Sequence, residues 1–322
     1  MQRMRRSGTW LLAVAVAVLV AAATVDAVLG DEAAAPARKV PERQRVDERA
    51  ELVRAARARG ISGTLLYADE GCAIRSIRLP GLNPAEGAPS GTSCAFTTSP
   101  GGLYAPGTAV PSPRAQLIAE CIAGGVEVRQ EGELLGRAPG CAPAWTPDGR
   151  LTAVRDGELV ELRRRGSRVL LSRRDVARAL ARDPWAFADP RVREAAWLDD
   201  DLVAVVVSDP GREKDDVIAL FRGRRLVGAP PFPYERLSGL RVSPRGSFVA
   251  ARVGLPAVGL VVLDRRAELV AIPFRIARAI AWSYDETWTA VASPDSIYVW
   301  ETGERALRFI RLPIRARDLI WR

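Results

Sequence analysis

One strand–turn–strand phrase recurs along this chain, and it limits the fold more than any other feature. The copies read CAFTTSPGGLYA from Cys94, CAPAWTPDGRLTAV from Cys141 and EAAWLDDDLVAVVV from Glu194. SGLRVSPRGSFVAARV from Ser238 and ARAIAWSYDETWTAVA from Ala277 follow. Their anchors Phe96, Trp145, Trp197, Val242 and Trp282 lie 49, 52, 45 and 40 residues apart, and Trp321, in the closing ARDLIWR, comes 39 after Trp282. Behind each polar turn and second apolar strand stands a third run, as in ELVELRRR from Glu158 or GLVVLDRR from Gly259, and in places a fourth, such as ELVAIPF from Glu268. The turns carry suitable chemistry: Thr146-Pro147-Asp148-Gly149 has Pro where φ is preset and Gly where φ must be positive.

Three or four antiparallel strands repeated every 40–50 residues have the period of a β-propeller blade. The ends sharpen this expectation. ARDLIWR supplies a first strand with nothing after it, whereas ISGTLLYA from Ile61 supplies a second strand with nothing before it, and CAIRSIRL from Cys72 supplies a third. Joined, they complete one blade and remove the free sheet edges of an open array. The expected fold is therefore all-β: a six-bladed propeller over residues 61–322, closed by pairing the C-terminal strand with N-terminal strands. APAWTPDGRLTAV and IAWSYDETWTAV resemble the WSPDG-type repeat of TolB-like (PD40 or WD40-like) six-bladed propellers. The copies at Phe96 and Val242 are degenerate. The resemblance implies architecture only, because propellers host scaffolds, receptors and enzymes alike.

Ahead of the repeats, Arg3, Arg5 and Arg6 precede an apolar run from Thr9 to Val25. Counted to Leu29 it reaches the roughly 20 residues that a helix needs to cross the hydrocarbon core. The basic flank predicts a cytoplasmic tail (1–8), a transmembrane signal anchor (9–30) and everything else outside. A cleaved signal peptide ending at Val25-Asp26-Ala27 is the competing reading, and it makes the protein secreted. Residues 31–60 are a charged linker, with helix-forming composition from Glu42 to Arg59 and a thin apolar stripe of Val46, Ala50 and Val53 beside Leu52. A solvated spacer helix is the expectation there, and a partner-docking helix the alternative. Cys72, Cys94, Cys121 and Cys141 suit two disulfides in an oxidising compartment. Their pairing is not deducible from sequence, although Cys72–Cys94 with Cys121–Cys141 gives two loops of similar size.

The chain of 322 residues contains no histidine, which excludes Ser-His-Asp and Cys-His hydrolases, zincins and His-ligated iron or copper. Asp199, Asp200 and Asp201 fill the turn slot, so we read them as a turn rather than a calcium loop. Asp209, Asp215 and Asp216 read as a hairpin extension. The glycine-rich pieces do not fit a phosphate-binding loop, and no metal or cofactor is expected. Net charge is +9, with dense arginines at 163–165, 168, 173, 174 and from 305 to 322. In an exported domain these point away from nucleic acid and toward anionic lipid headgroups or cell-wall polymers, or simply to a solvated face. The insertion from Ser172 to Glu194 predicts a short helix Val176–Arg182, capped by Ser172 or Asp175. Trp185 and Phe187 in that insertion, with Phe232 and Tyr234 in PPFPYERL, are the candidate partner-binding aromatics, and a loop folded back over the propeller with Trp185 and Phe187 buried is the equal alternative.

The functional expectation is a bacterial, membrane-anchored, extracytoplasmic scaffold that binds an envelope or membrane protein, or an envelope polymer, without chemistry. Two alternatives stand beside it: a carbohydrate-active hydrolase or lyase with carboxylates in the propeller funnel, and a ligand sensor working with a membrane partner.

Overall fold

The repeat owes its strands to stretches that are buried on both faces. In a computed structural model, β1 (Gly63–Ala68), β2 (Ile74–Leu79) and β24 (Asp318–Trp321) form one antiparallel sheet in the order β2-β1-β24. The hairpin β3 (Phe96–Thr98) and β4 (Tyr104–Pro106) stands by itself, followed by a four-stranded sheet of β5 (Val110–Pro111), β6 (Ile118–Ile122), β7 (Gly125–Gln130) and β8 (Glu133–Ala138). Next come β9 (Cys141–Trp145), β10 (Leu151–Arg155), β11 (Glu158–Leu162) and β12 (Ser167–Leu171), then β13 (Arg191–Trp197), β14 (Leu202–Ser208), β15 (Val217–Arg222) and β16 (Arg225–Gly228). A three-stranded sheet of β17 (Leu237–Val242), β18 (Phe248–Val253) and β19 (Gly259–Asp264) precedes β20 (Ala279–Trp282), β21 (Trp288–Ala292), β22 (Ile297–Glu301) and β23 (Ile310–Leu312). The structure describes residues 42–86, 91–98, 100–114, 116–123, 125–181, 187–211, 216–230, 234–254, 259–270, 276–303 and 308–322. The expected membrane segment lies outside them; among the described residues no helix is long and apolar enough to cross a membrane.

Successive side chains of a strand point to opposite faces, and β14 uses both. Val203, Val205 and Val207 join a core with Ala144 and Leu159 of the preceding sheet. Leu202, Ala204 and Val206 join another with Leu237, Val249 and Ala251 of the following sheet. The β20–β23 sheet repeats the pattern, with Ile280, Trp282 and Val291 against Ala250 and Val262 on one side. Ala279, Ala281, Ala290 and Ala292 lie against Leu65, Leu319 and Trp321 on the other. Strands flanked in this way lose the apolar–polar alternation of a one-sided sheet, which is why LVAVVV and WTAVA are nearly continuous apolar runs. Antiparallel meanders, each packed between the one before and the one after, are β-propeller construction. β24 also pairs with β1, Leu65 opposite Trp321 through Ala68 opposite Asp318, as the sequence ends predict.

Three anchor tryptophans tie their sheet to its predecessor, and the fourth, Trp321, fastens β24 to the start of β1. Trp145 donates its indole N–H to the Val110 carbonyl at 3.0 Å, Trp197 donates to Thr152 Oγ1 at 2.9 Å, and Trp282 stacks on Phe248 with ring centroids 6.3 Å apart. Trp321 donates to the Ser62 carbonyl. All four are buried, and Val242 is half-buried. Phe96 is the exception among the anchors. The expected blade from Cys94 is instead the separate β3–β4 hairpin, and the first-strand slot ahead of β9 belongs to β5. Phe96 is buried against Leu66, Ala68 and Ile320, because polar contacts described below hold the hairpin toward β17 and β24.

Turns also meet turns. The Asp148 N–H donates to Asp200 Oδ1 at 2.9 Å and the Arg245 N–H to Glu286 Oε1 at 2.6 Å. Gly246 (φ +72°) sits so close to Leu198 that an added Cβ would lie 1.8 Å from its carbonyl oxygen, whereas Gly149 (φ +92°), in the equivalent turn, has nothing within 4 Å. Gly246→Ala is therefore expected to destabilise by about 2 kcal/mol more than Gly149→Ala, since both carry the positive-φ penalty and only one meets backbone. Equal urea midpoints for the two variants would show that this turn contact is dispensable.

Two helices complete the described chain. Residues 1–48 and 49–322 pack as separate units. The helix α1 (Glu42–Ala58) matches the expected span, but its second half is not a solvated spacer. Leu52 and Ala56 pack against the Ile61–Leu65 core, and Arg49 Nη2 donates to Leu82 O and Asn83 Oδ1. Residues four apart share a helix face, so Leu52 and Ala56 form the contact and the stripe at Ala50 does not. The second helix, α2 (Arg173–Leu180), has Ser172 as N-cap in a capping box with Asp175, and it buries Val176 and Leu180.

Candidate functional site: an axial cavity and an arginine knot

First strands of neighbouring sheets converge on two features, an arginine–aspartate knot and a cavity. Arg241 of β17 is 8% exposed and donates in four directions. Its Nη1 reaches the carbonyls of Ile280 (2.8 Å) and Leu319 (2.7 Å), while its Nη2 reaches the Phe96 carbonyl and Asp318 Oδ2, both at 2.9 Å. Asp318, fully buried, also accepts from the Phe96 N–H (2.8 Å), the Leu319 N–H (2.8 Å) and Arg252 Nη2 (3.2 Å). One planar guanidinium thus joins β17, β20, β24 and the β3–β4 hairpin, which a point-charge lysine has too few donors to do.

Beside the knot lies a cavity of about 410 Å³, within the range of small-molecule sites. Its walls are the β3–β4 hairpin, β5, the Cys121 and Cys141 pair, and the first strands β9, β13 and β17, with Arg252 from β18. Each of those three first strands carries a β-bulge against its neighbour, at Cys141–Ala144, Val192–Glu194 and Ser238–Arg241. The register of β20 and β24, which do not line the cavity, is unbroken. An extra residue bends a strand and re-aims its groups. In β17 the bulge contains Gly239 (φ +65°) and turns the Leu240 N–H onto Glu194 Oε2 at 3.1 Å.

Glu194 is the only acid among the described residues that line the cavity. Burial pushes its carboxyl above the ordinary carboxylate range, against the pull of the Leu240 and Gly239 N–H groups. Among the described residues no arginine forms an ion pair with it, since neighbouring Arg193 is committed to Asp216 at 3.1 Å. Apart from Arg241 and Arg252, the rest of the wall is mostly apolar or aromatic, with Phe96, Val110, Trp145, Trp197 and Leu240 prominent, and threonines at 97, 98 and 108.

The aromatics singled out from the sequence do not gather at this cavity. Trp185 and Phe232 lie outside the described residues. Phe187 is a correction to the exposed-anchor expectation: it is 9% exposed and packs with Val176, Leu180 and Val192, because α2 folds back over the sheet edge. Tyr234 is half-buried against the Leu237 cluster, and burial pushes its phenol up to about 12. Asp199 Oδ1 caps the N–H groups of Asp201 and Leu202, as a turn residue does. Asp209 accepts from the backbone of Ala188, Asp189 and Gly211. The cysteines pair Cys72–Cys94 and Cys121–Cys141, the latter bridging β6 and β9 across two sheets. Several of the dense arginines are already matched: Arg163 with Glu161, Arg173 with Asp189, Arg311 with Asp295 and Arg317 with Glu70.

No family model matches the chain, and no curated protein does. Among solved structures it is similar to the β-propeller domain of Cps50 (Swd1) from Myceliophteria thermophila, with 12% identity and a TM-score of 0.44 over 79% of this chain and 88% of that one. It is also similar to TolB from Acinetobacter baumannii, with 15% identity and a TM-score of 0.44 over 80% of this chain and 66% of that one. Similarity this weak assigns the chain neither ligand nor partner.

Proposed function

We propose that this chain is a six-bladed β-propeller, closed through β24 and carried outside a bacterial membrane by its N-terminal anchor, that binds a macromolecular partner without catalysing a reaction. In this reading the six blades are the sheets of three or four strands, and the β3–β4 hairpin is an insertion at the axis. The observation that carries the noncatalytic reading is the axial cavity's acid content. Glycoside chemistry needs two carboxylates facing one another across the scissile bond, whereas the described wall offers Glu194 alone. Asp318, the other axial acid, is spent on two arginines and two backbone N–H groups. The partner class is an envelope or membrane protein, with anionic polymer or lipid headgroups as the alternative for the unmatched arginines and nucleic acid the least suited to an exported surface.

Cross-linking the full chain in intact cells is expected to yield one recurrent adduct of defined mass, insensitive to nuclease. Protease added to spheroplasts is expected to digest residues 31–322. Protection from the protease would overturn the exported placement, and release of sugar from a glycan panel by the purified chain would overturn the noncatalytic one.

A further inference from the structure

We infer that the axial cavity is a binding site for a small zwitterion with an apolar side chain, a free amino acid or dipeptide, whose ammonium meets Glu194 and whose carboxylate meets Arg252. The inference rests on reading this cavity as a place that binds rather than reacts, and it adds the class of ligand.

Three observations converge on it. First, charge is placed at both ends of one small region. Gly239 links them: its N–H and that of Leu240 are directed at the Glu194 carboxylate, and the Arg252 side chain passes within 3.8 Å (Cδ and Nε) of where a Cβ on Gly239 would stand. Second, these two groups keep unspent capacity while their neighbours do not. Arg241 gives both terminal nitrogens to three carbonyls and Asp318. Among the described residues Arg252 gives only Nη2, to Asp318, and its side chain remains 30% exposed. Among the described residues Glu194 makes no ion pair, since Arg193 acts on it only at longer range, and a buried charge so weakly compensated is costly. Third, the region balances. Arg241 and Arg252 against Asp318 and Glu194 sum to zero, so a ligand of zero net charge preserves neutrality, whereas a plain amine or a plain acid leaves an uncompensated charge in a poorly solvated place.

The apolar wall supplies the remainder of the recognition. Phe96, Trp145, Trp197 and Leu240 surround a space large enough for one or two residues of chain. A Cβ at Gly239 would meet the Arg252 stem at ordinary contact distance, 3.8 Å, so it is the γ-methyls of Gly239→Val, at a positive φ, that are expected to displace Arg252 and weaken the carboxylate end.

The test is calorimetric titration of the detergent-solubilised full chain with L-phenylalanine and with leucyl-phenylalanine. Three analogues accompany them: phenylalaninamide, which lacks the carboxylate, N-acetyl-phenylalanine, which lacks the ammonium, and toluene, which lacks both. At least one zwitterion is expected to bind, and each one-ended analogue at least about tenfold more weakly. Glu194→Gln keeps the acceptor for the Leu240 N–H and is expected to weaken the zwitterion about tenfold while strengthening N-acetyl-phenylalanine, whose lone carboxylate then balances the charge that remains. Failure of both zwitterions to bind at about 10 mM would overturn the inference and leave the partner-binding reading intact. Toluene binding as tightly as phenylalanine would overturn it too, by reducing the site to an apolar void. Binding accompanied by cleavage of leucyl-phenylalanine would keep the site and overturn the noncatalytic reading.

Discussion

Arg241→Met is expected to lower stability by about 3–5 kcal/mol, the largest loss from any single side chain described above. Removing one member of a buried ion pair costs that much because the other charge is left in a medium that solvates it poorly. Here the loss is compounded: the carbonyls of Phe96, Ile280 and Leu319 lose a donor together. Arg252 still faces Asp318 at 3.2 Å, which tempers the effect. Arg241→Lys is expected to fall between wild type and Met, since an ammonium retains the charge but cannot serve four acceptors on three elements. Urea denaturation is the measurement, with the midpoint read at constant slope. A Met variant within about 1 kcal/mol of wild type would show that the knot is decorative.

Removing both disulfides is the second large effect. The bridges span sequence separations of 22 and 20 residues. On the chain-entropy account each loop of that size stabilises by about 3 kcal/mol through the unfolded state. The Cys72→Ala/Cys94→Ala and Cys121→Ala/Cys141→Ala pairs are each expected to cost about that much, and to add, because the two bridges close separate loops of the chain. The second pair has a further consequence, as Cys121 and Cys141 line the axial cavity and join its β6 and β9 walls. It is expected to weaken the zwitterion when the first pair does not. An unchanged urea midpoint in dithiothreitol, with both bridges verified as reduced, would count against this account.

The fold was legible because a repeat multiplies its own signal. The anchors Trp145, Trp197, Trp282 and Trp321 each mark a first strand, and the joined ends predicted β24 beside β1. The β3–β4 hairpin was not legible: CAFTTSPGGLYA imitates a blade, and what sets it apart is a carbonyl and an N–H held by Arg241 and Asp318, respectively 145 and 222 residues away. The site was missed although a signal existed. Aligned on the anchors, the position before them reads Ala144, Ala196, Arg241, Ala281 and Ile320, so arginine replaces a small or apolar residue in one copy only. Three before the anchor stand Ala142, Glu194, Gly239, Ala279 and Asp318, which places both axial acids in one column otherwise filled by small residues. The degenerate copy around Val242 was thus the informative one: what weakened the repeat there was the hub of the knot. The bulges that aim these groups were beyond reach, because register is a property of pairs of strands.

The pairing of β1 with β24 also orders events in time. Ala68 and Asp318 face each other 250 residues apart, so during synthesis the β1–β2 hairpin emerges long before its third strand. Until then one edge of β1 stays open, and an open edge is a template for pairing with another chain. Nor can the knot form earlier, since Asp318 belongs to that same strand and Arg241 must wait for it. A chain halted before Asp318 therefore leaves Arg241 without its acid and β1 without its partner strand, the state that quality-control proteases and chaperones are suited to detect.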